Sequence, residues 1–222
     1  MTSLLIDTAT DHGVVGIFSA GVLLAKKEFA AAFTNSRLLL PAIDELVKSL
    51  QIDPKEFVYI ATGIGPGSYT GIRVAASLSK AISFAHGIPL VGVSSLKGFV
   101  PDASFTGKFV AAIDAKIGGV YMVTGDVQNG VICFDAEDAL VSVEDFLKAA
   151  KAVSCVVTPQ KAALAKRFPE IEHVIIERSP SLEELGRLAY DAFCKGNFVT
   201  DGRLPLAYLR KTQAEIEKET KM

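Results

Sequence analysis

The 222-residue sequence is poor in the side chains that most often carry chemistry. Its three histidines are His12, His86 and His173, and none stands four residues from another. No H-x-x-x-H or H-E-x-x-H metal motif therefore exists. The three cysteines, Cys133, Cys155 and Cys194, are odd in number and far apart, which argues against a disulfide framework and for buried thiols in a reducing compartment. Neither sign of charge dominates, since 23 basic and 25 acidic residues give a net charge of −2. Without a basic excess there is little to drive autonomous binding of nucleic acid. No apolar run approaches the roughly 20 residues of a membrane helix, so no membrane association is expected. Met1 to Asp7 lacks the basic start and long apolar core of a secretory signal. A soluble, cytoplasmic protein is the expectation.

What the chain does have is core. Half of its residues are hydrophobic, which excludes bulk disorder, and a chain of this size buries roughly 70% of its unfolded surface without metal or disulfide. Strands are expected at Leu4–Ile6, Gly13–Ser19, Val22–Phe29, Phe57–Thr62 and Leu90–Val93. Helices are expected from Ser36 to Leu50 and from Thr70 to His86, with Gly87 ending the second. Val100 to Lys108 is rich in turn formers and reads as a linker. The pattern then restarts, with strands at Phe109–Ile113, Gly119–Thr124, Gly130–Phe134, Val153–Val157 and His173–Ile176. Helices follow Ser142, Lys161 and Ser181, the last opened by a capping box with Glu184. Both halves thus read strand-strand-strand-helix-strand-helix-strand-helix, which implies two α/β layers with mixed sheets.

The densest local signal is Thr62-Gly-Ile-Gly-Pro-Gly-Ser-Tyr-Thr-Gly-Ile-Arg73. Gly63, Gly65, Gly67 and Gly71, with Pro66, Ser68 and Thr70 among them, join a strand to a helix. Such turns cradle phosphates elsewhere, because bare amides and a helix N-terminus attract anions. Here the lysine of a P-loop and the G-x-G-x-x-G spacing are both absent. The loop reads as a structural turn that positions the following helix.

Asp7 ends the first strand of one half and Asp114 the first strand of the other. Duplicated halves of this order resemble the actin-like ATPase and sugar-kinase superfold, two RNase H-like domains. A working ATPase of that fold would need an Asp-x-Gly-Thr phosphate loop, a carboxylate on Mg²⁺ and glycines near the purine. The chain has Asp7-Thr8-Ala9-Thr10 instead, and the Cβ of Ala9 keeps backbone amides off phosphate oxygens. Val157 to Lys161 contains no glycine. Asp7, Thr8, Thr10 and Asp114 are candidates for a degenerate cleft, with polar turn residues at strand ends the simpler reading. No residue qualifies as catalytic, as a metal ligand or as the holder of a cofactor. In the helix after the loop, Val74, Leu78, Ile82 and Ala85 can face the core, while Ala75, Ser79, Ser83 and His86 form a small-residue face. That face packs either on the chain's own fold or on another protein.

These residues resemble the TsaB (YeaZ) family, dimerisation subunits of the bacterial tRNA threonylcarbamoyladenosine machinery. The resemblance rests on the glycine loop through Arg73, on Gly87-Ile-Pro-Leu-Val-Gly-Val-Ser-Ser-Leu96, and on Ile6-Asp-Thr-Ala-Thr10. It also rests on Ser36-Arg-Leu-Leu-Leu-Pro41, Asp114-Ala-Lys-Ile-Gly-Gly-Val-Tyr121 and Pro205-Leu-Ala-Tyr-Leu-Arg210. Asn35, Lys116 and Gly119 depart from the family pattern, which often has His, Arg and Glu there. The resemblance implies a non-catalytic scaffold that pairs through its first-domain helices with a TsaD-like paralogue, the enzyme that transfers threonylcarbamoyl to N6 of adenosine 37. It implies a TsaE-like ATPase as a further partner, a homodimer in isolation as an option, and tRNA met only through the complex. The implied interface is Asn35, Ser36, Arg37, Leu40, Ile72, Arg73, Ala75, Ala76, Ser79 and Ser83. The implied domains are 1–100 with 205–222, and 101–204. Alternatives are an active actin-like phosphotransferase and, more remotely, a glycoprotease-type metallopeptidase.

Overall fold

The computed structural model describes residues 1–30 and 36–207. The expectations at Asn35 and in the charged stretch from Lys211 to Met222 lie outside the described residues. The chain opens with a meander of β1 (Thr2–Asp7), β2 (His12–Ser19) and β3 (Val22–Ala30). The β2–β3 turn is Ala20–Gly21, both with positive φ, as a tight hairpin requires. Then come α1 (Ser36–Ser49), β4 (Phe57–Gly63), α2 (Tyr69–His86) and β5 (Leu90–Val93). The sheet runs β3-β2-β1-β4-β5, with β1 antiparallel to β2 and parallel to β4.

The second half contains β6 (Gly107–Asp114), β7 (Val120–Gln128), β8 (Val131–Phe134) and the three-residue β9 (Ala139–Val141). It continues with α3 (Val143–Lys151), β10 (Val156–Thr158), α4 (Lys161–Arg167) and β11 (Ile175–Glu177). The last described helix is α5 (Leu182–Cys194). The second sheet runs β11-β10-β6-β7-β8, with β9 on the side of β7. With the short β9 left out of the count, each sheet has the order third-second-first-fourth-fifth from its own first strand. In each, the first strand pairs antiparallel with the second and parallel with the next strand on its other side, β4 or β10. This is the duplicated actin-like superfold. The strand β9 was not anticipated, because three residues carry no readable period.

Alternating side chains bury both faces of each sheet. In the first, Leu4, Ile6, Val15 and Ile60 meet α1 and α2, while Leu5, Val14, Phe18 and Tyr59 meet α5. In the second, Val110, Ala112 and Val156 pack on α3 and α4, and Phe109, Ala111 and Val157 pack on Leu96 and Phe99. The expected linker therefore begins inside a core, since Val100 is buried with Phe99. The helix α5, placed by the sequence division in residues 101–204, lies against the first sheet. Its Gly186 admits the Phe18 ring, where a Cβ would come within 2.1 Å. The chain is back at the first sheet by Val199, which exchanges backbone hydrogen bonds with Leu90, and Ala207 donates to Ile64. Only half of the expected capping box at Ser181 forms. Its hydroxyl accepts the Glu184 amide, but the Glu184 carboxylate turns to Arg187 and the Ser181 amide goes to Gly98.

Candidate functional site

The glycine loop folds onto the turn that follows β1. The Ser68 amide donates to the Ala9 carbonyl at 2.6 Å, and the Thr8 hydroxyl donates to the Gly71 carbonyl at 2.6 Å. Three of the four glycines are explained by this contact. A Cβ on Gly71 would stand 1.9 Å from the Thr8 carbonyl oxygen, one on Gly67 2.1 Å from that of Ala9, and one on Gly63 2.3 Å from the Asp7 carboxylate. Gly65, with φ +98, occupies a left-handed conformation that other residues resist. The sequence reading of a structural loop thus has a concrete content: bare backbone is needed to touch backbone. Ser68 also caps α2 by accepting the Gly71 amide.

Beside this contact a cleft of about 380 Å³ separates the two halves, lined by Thr10, Asp11, Ser68, Asp114, Lys116 and Gln160 among others. The fold family uses this place for a magnesium nucleotide, and the side chains here do not fit one. The Ala9 amide, which would meet phosphate, donates instead to Oδ1 of Asp7 at 2.7 Å. Asp7 is buried, and desolvation raises its carboxyl to about 6 despite the Ala9 and Ser95 hydrogen bonds that favour the charge. A carboxyl held so is a poor magnesium ligand. Asp114 accepts the Lys116 amide at 2.8 Å and a hydrogen bond from the Arg167 guanidinium, which also donates to the Gly119 carbonyl at 3.1 Å. A cation already sits where a metal would need an open carboxylate. Arg167 was missed in the sequence, because 53 residues separate it from Asp114 and only the tertiary fold joins them. The departure at Gly119 is also accounted for: its φ is +111, and a Cβ would stand 2.1 Å from the Val141 carbonyl oxygen. Among the described residues no group of three or more His, Cys, Asp or Glu is placed to hold a metal.

The second candidate surface is α2 with α1, and here the structure corrects the sequence. Ile72, Ala75, Ala76, Ser79 and Ser83, expected at a partner interface, are buried within the chain itself. Small side chains let α2 lie close across β1 and β4, so the small face is an internal seam. Val74, Leu78 and Ile82, expected to be core, are only partly buried and pack at its margin, while Ala85 is exposed. The face that α2 and α1 do present carries Arg37, Leu38, Leu40, Tyr69, Arg73 and Phe84. Of the expected interface residues, Arg37, Leu40 and Arg73 remain at the surface. Arg73 stacks its guanidinium on Tyr69, 3.9 Å from the ring centroid. A groove of about 620 Å³ runs between the helices, lined by Leu39, Leu40, Tyr69, Arg73, Val74 and Leu78 among others.

Fold and site together define a class: actin-like proteins in which the polar groups at the edge of the cleft are engaged by internal hydrogen bonds and whose paired helices show an apolar face. The chain belongs to the family described as "TsaD: tRNA N6-adenosine threonylcarbamoyltransferase", which it matches over residues 30–197, and within it stands with the TsaB (YeaZ) members. It is 28% identical to the tRNA threonylcarbamoyladenosine biosynthesis protein TsaB of Bacillus subtilis, over 68% of this chain and 66% of the relative. It is 32% identical to TsaB of Haemophilus influenzae, over 54% of this chain and 52% of the relative. The matches thus span about half to two thirds of the length of these curated relatives. A solved protein from Pseudomonas aeruginosa "with similarity to peptidase YEAZ" superposes with a TM-score of 0.78 at 25% identity, over 94% of this chain and 99% of that one. YeaZ from the same organism gives 0.73 at 24%, over 92% and 98%. No helix among the described residues is long and apolar enough to cross a membrane.

Proposed function

We propose that this chain is a non-catalytic docking subunit of the machinery that forms threonylcarbamoyladenosine at position 37 of tRNAs reading ANN codons. In this reading the catalytic transfer to N6 of the adenosine belongs to a TsaD-like paralogue. The present chain holds that paralogue through the exposed face of α1 and α2, a TsaE-like ATPase joins the pair, and tRNA is met only through the assembly in the cytoplasm. The docking unit is residues 1–100 with 205–222, and residues 101–204 form the more divergent unit, of which α5 packs on the first sheet. The observation that carries the reading is the Ser68–Ala9 closure of the glycine loop. It uses for packing the backbone that an ATPase would use for phosphate, while α1 and α2 keep Leu38, Leu40 and Tyr69 at the surface.

The test is co-expression with the TsaD-like paralogue of the same cell, followed by sizing chromatography. A stoichiometric complex is expected, and tRNA from cells depleted of this chain should lose the modified nucleoside. Failure to form the complex sinks the proposal. Titration calorimetry of the isolated chain with magnesium ATP should show no heat of binding. Saturable binding there would favour a phosphotransferase instead.

A further inference from the structure

The cleft between the halves does not fit a magnesium nucleotide, yet its two walls carry polar side chains of another pattern. Asp11 belongs to the turn after β1, the first strand of one half, and Lys116 to the turn after β6, the first strand of the other. Both line the cleft, so corresponding turns of the duplicated halves bring opposite charges to its two sides. Both residues are exposed. Among the described residues no ion pair or hydrogen bond holds the Asp11 carboxylate or the Lys116 ammonium, and Lys116 is engaged only through its backbone amide. Gln160 is in the same position: it lines the cleft, its backbone amide donates to the Thr158 hydroxyl at 3.3 Å, and its side-chain amide has no partner among the described residues.

This pattern discriminates between ligands by charge. A simple anion would be drawn to Lys116 but would sit beside Asp11 and Asp114. A divalent cation takes several oxygen ligands and would find Asp11 alone, since Asp114 already accepts from Arg167. A molecule carrying both charges satisfies both walls, its ammonium on Asp11 and its carboxylate on Lys116. Charge-assisted hydrogen bonds of this kind are the strong ones. The Gln160 amide can donate to a carboxylate and accept from an ammonium. The Ser68 hydroxyl accepts the Gly71 amide at 3.2 Å, which leaves its hydrogen to donate into the cleft it lines. The volume of about 380 Å³ lies at the low end of small-molecule sites, which run from roughly 300 to 1,000 Å³. It suits a metabolite rather than a chain.

The walls are also held in place before any ligand arrives. The Ser68–Ala9 bond fixes one turn, and Arg167 with the Lys116 amide fixes the other around Asp114. Away from these turns the halves are tied by Ser94 on Asp138 at 2.5 Å and Lys97 on Glu137 at 3.3 Å. Such preorganisation lowers the cost of binding. Independently of the docking role, we propose that the cleft is a binding site for a free amino acid. Asp11 holds its ammonium and Lys116 its carboxylate.

The experiment is titration calorimetry of the full chain with each of the common L-amino acids at millimolar concentration. At least one should bind saturably and raise the melting temperature. For that amino acid, Asp11→Asn and Lys116→Gln should each weaken binding at least about tenfold. The matching acid without the amine should bind the wild type at least about tenfold more weakly, and Asp11→Asn should weaken it no further. The matching amine without the carboxylate should show the same relation to Lys116→Gln. Both substitutions fall on exposed side chains, so without ligand the variants should melt as the wild type does. Absence of a saturable heat with every amino acid overturns the proposal. So does an acid that binds as tightly as its parent amino acid, which would make the cleft a plain anion hollow. Binding that survives both substitutions places the site elsewhere and overturns it as well.

Discussion

The Ser68 amide lies 2.6 Å from the Ala9 carbonyl oxygen, and this contact joins the glycine loop to the turn after β1. In an actin-like nucleotide site the backbone of that turn faces phosphate. Here its carbonyl faces a protein amide, and its amide faces the protein's own Asp7. The loop thereby fixes where α2 begins, and so which of its side chains face outward.

The glycines of this contact should be intolerant of any side chain. Gly71→Ala or Gly67→Ala forces a Cβ against a backbone oxygen that cannot rotate away, so each should cost about 3 kcal/mol, at the upper end for overpacking. Gly87→Ala is the contrast: nothing lies within 4 Å of its Cβ position, and the only cost is its left-handed φ of +67. That change should cost about 1 kcal/mol. Urea denaturation of the three variants measures the difference.

The buried Asp7 predicts a pH effect of definite sign. Its carboxyl is raised to about 6 in the folded chain from an ordinary 3.8, so the folded state holds the proton more tightly than the unfolded one. The stabilisation this gives is complete below pH 4 and is lost as pH rises through 6. Asp7→Asn keeps an acceptor for the Ala9 amide without a charge to bury. Its stability relative to wild type should therefore improve between pH 4 and pH 8 by about 3 kcal/mol. A difference that does not change with pH would mean that Asp7 is charged at no cost where it sits.

The buried face of α2 and the exposed face of α1 should respond oppositely to substitution. Ser79→Leu places a bulky side chain where none of the residue is exposed, and should lower stability by about 1–3 kcal/mol. Leu40→Glu alters a side chain that is 57% exposed; it should leave the melting temperature unchanged and weaken capture of the TsaD-like paralogue. Circular dichroism melts and sizing of the co-expressed pair read the two effects separately.

Thiol reactivity should divide the cysteines. Burial pushes Cys155 up to about 11, whereas Cys133 and Cys194 are exposed. Iodoacetamide at pH 8 should modify Cys133 and Cys194 in the folded chain and reach Cys155 only after denaturation. Mass spectrometry of the labelled peptides decides it.

Much of this architecture was legible in the chain. Short continuous apolar runs such as Leu4–Ile6 and Phe109–Ile113 declared buried strands, because each is too short for a core helix and is covered on both faces. Ser142, Ser181 and Gly87 marked helix ends because caps are local chemistry. Ala75, Ser79 and Ser83 were misleading in one of their two readings. A stripe of small residues fits a close seam equally well inside a chain or between chains, and sequence periodicity does not state which partner is near.

The sequence by itself determined the element order, the duplication and the family, because each is carried by local runs of residues. Tertiary structure alone decided the rest. It set the small face of α2 against β1 and β4, brought Arg167 to Asp114 across 53 residues, returned α5 to the first sheet, and turned Phe84 outward. These outcomes depend on which surfaces compete for the same apolar face, and that competition is settled only when the whole core is packed.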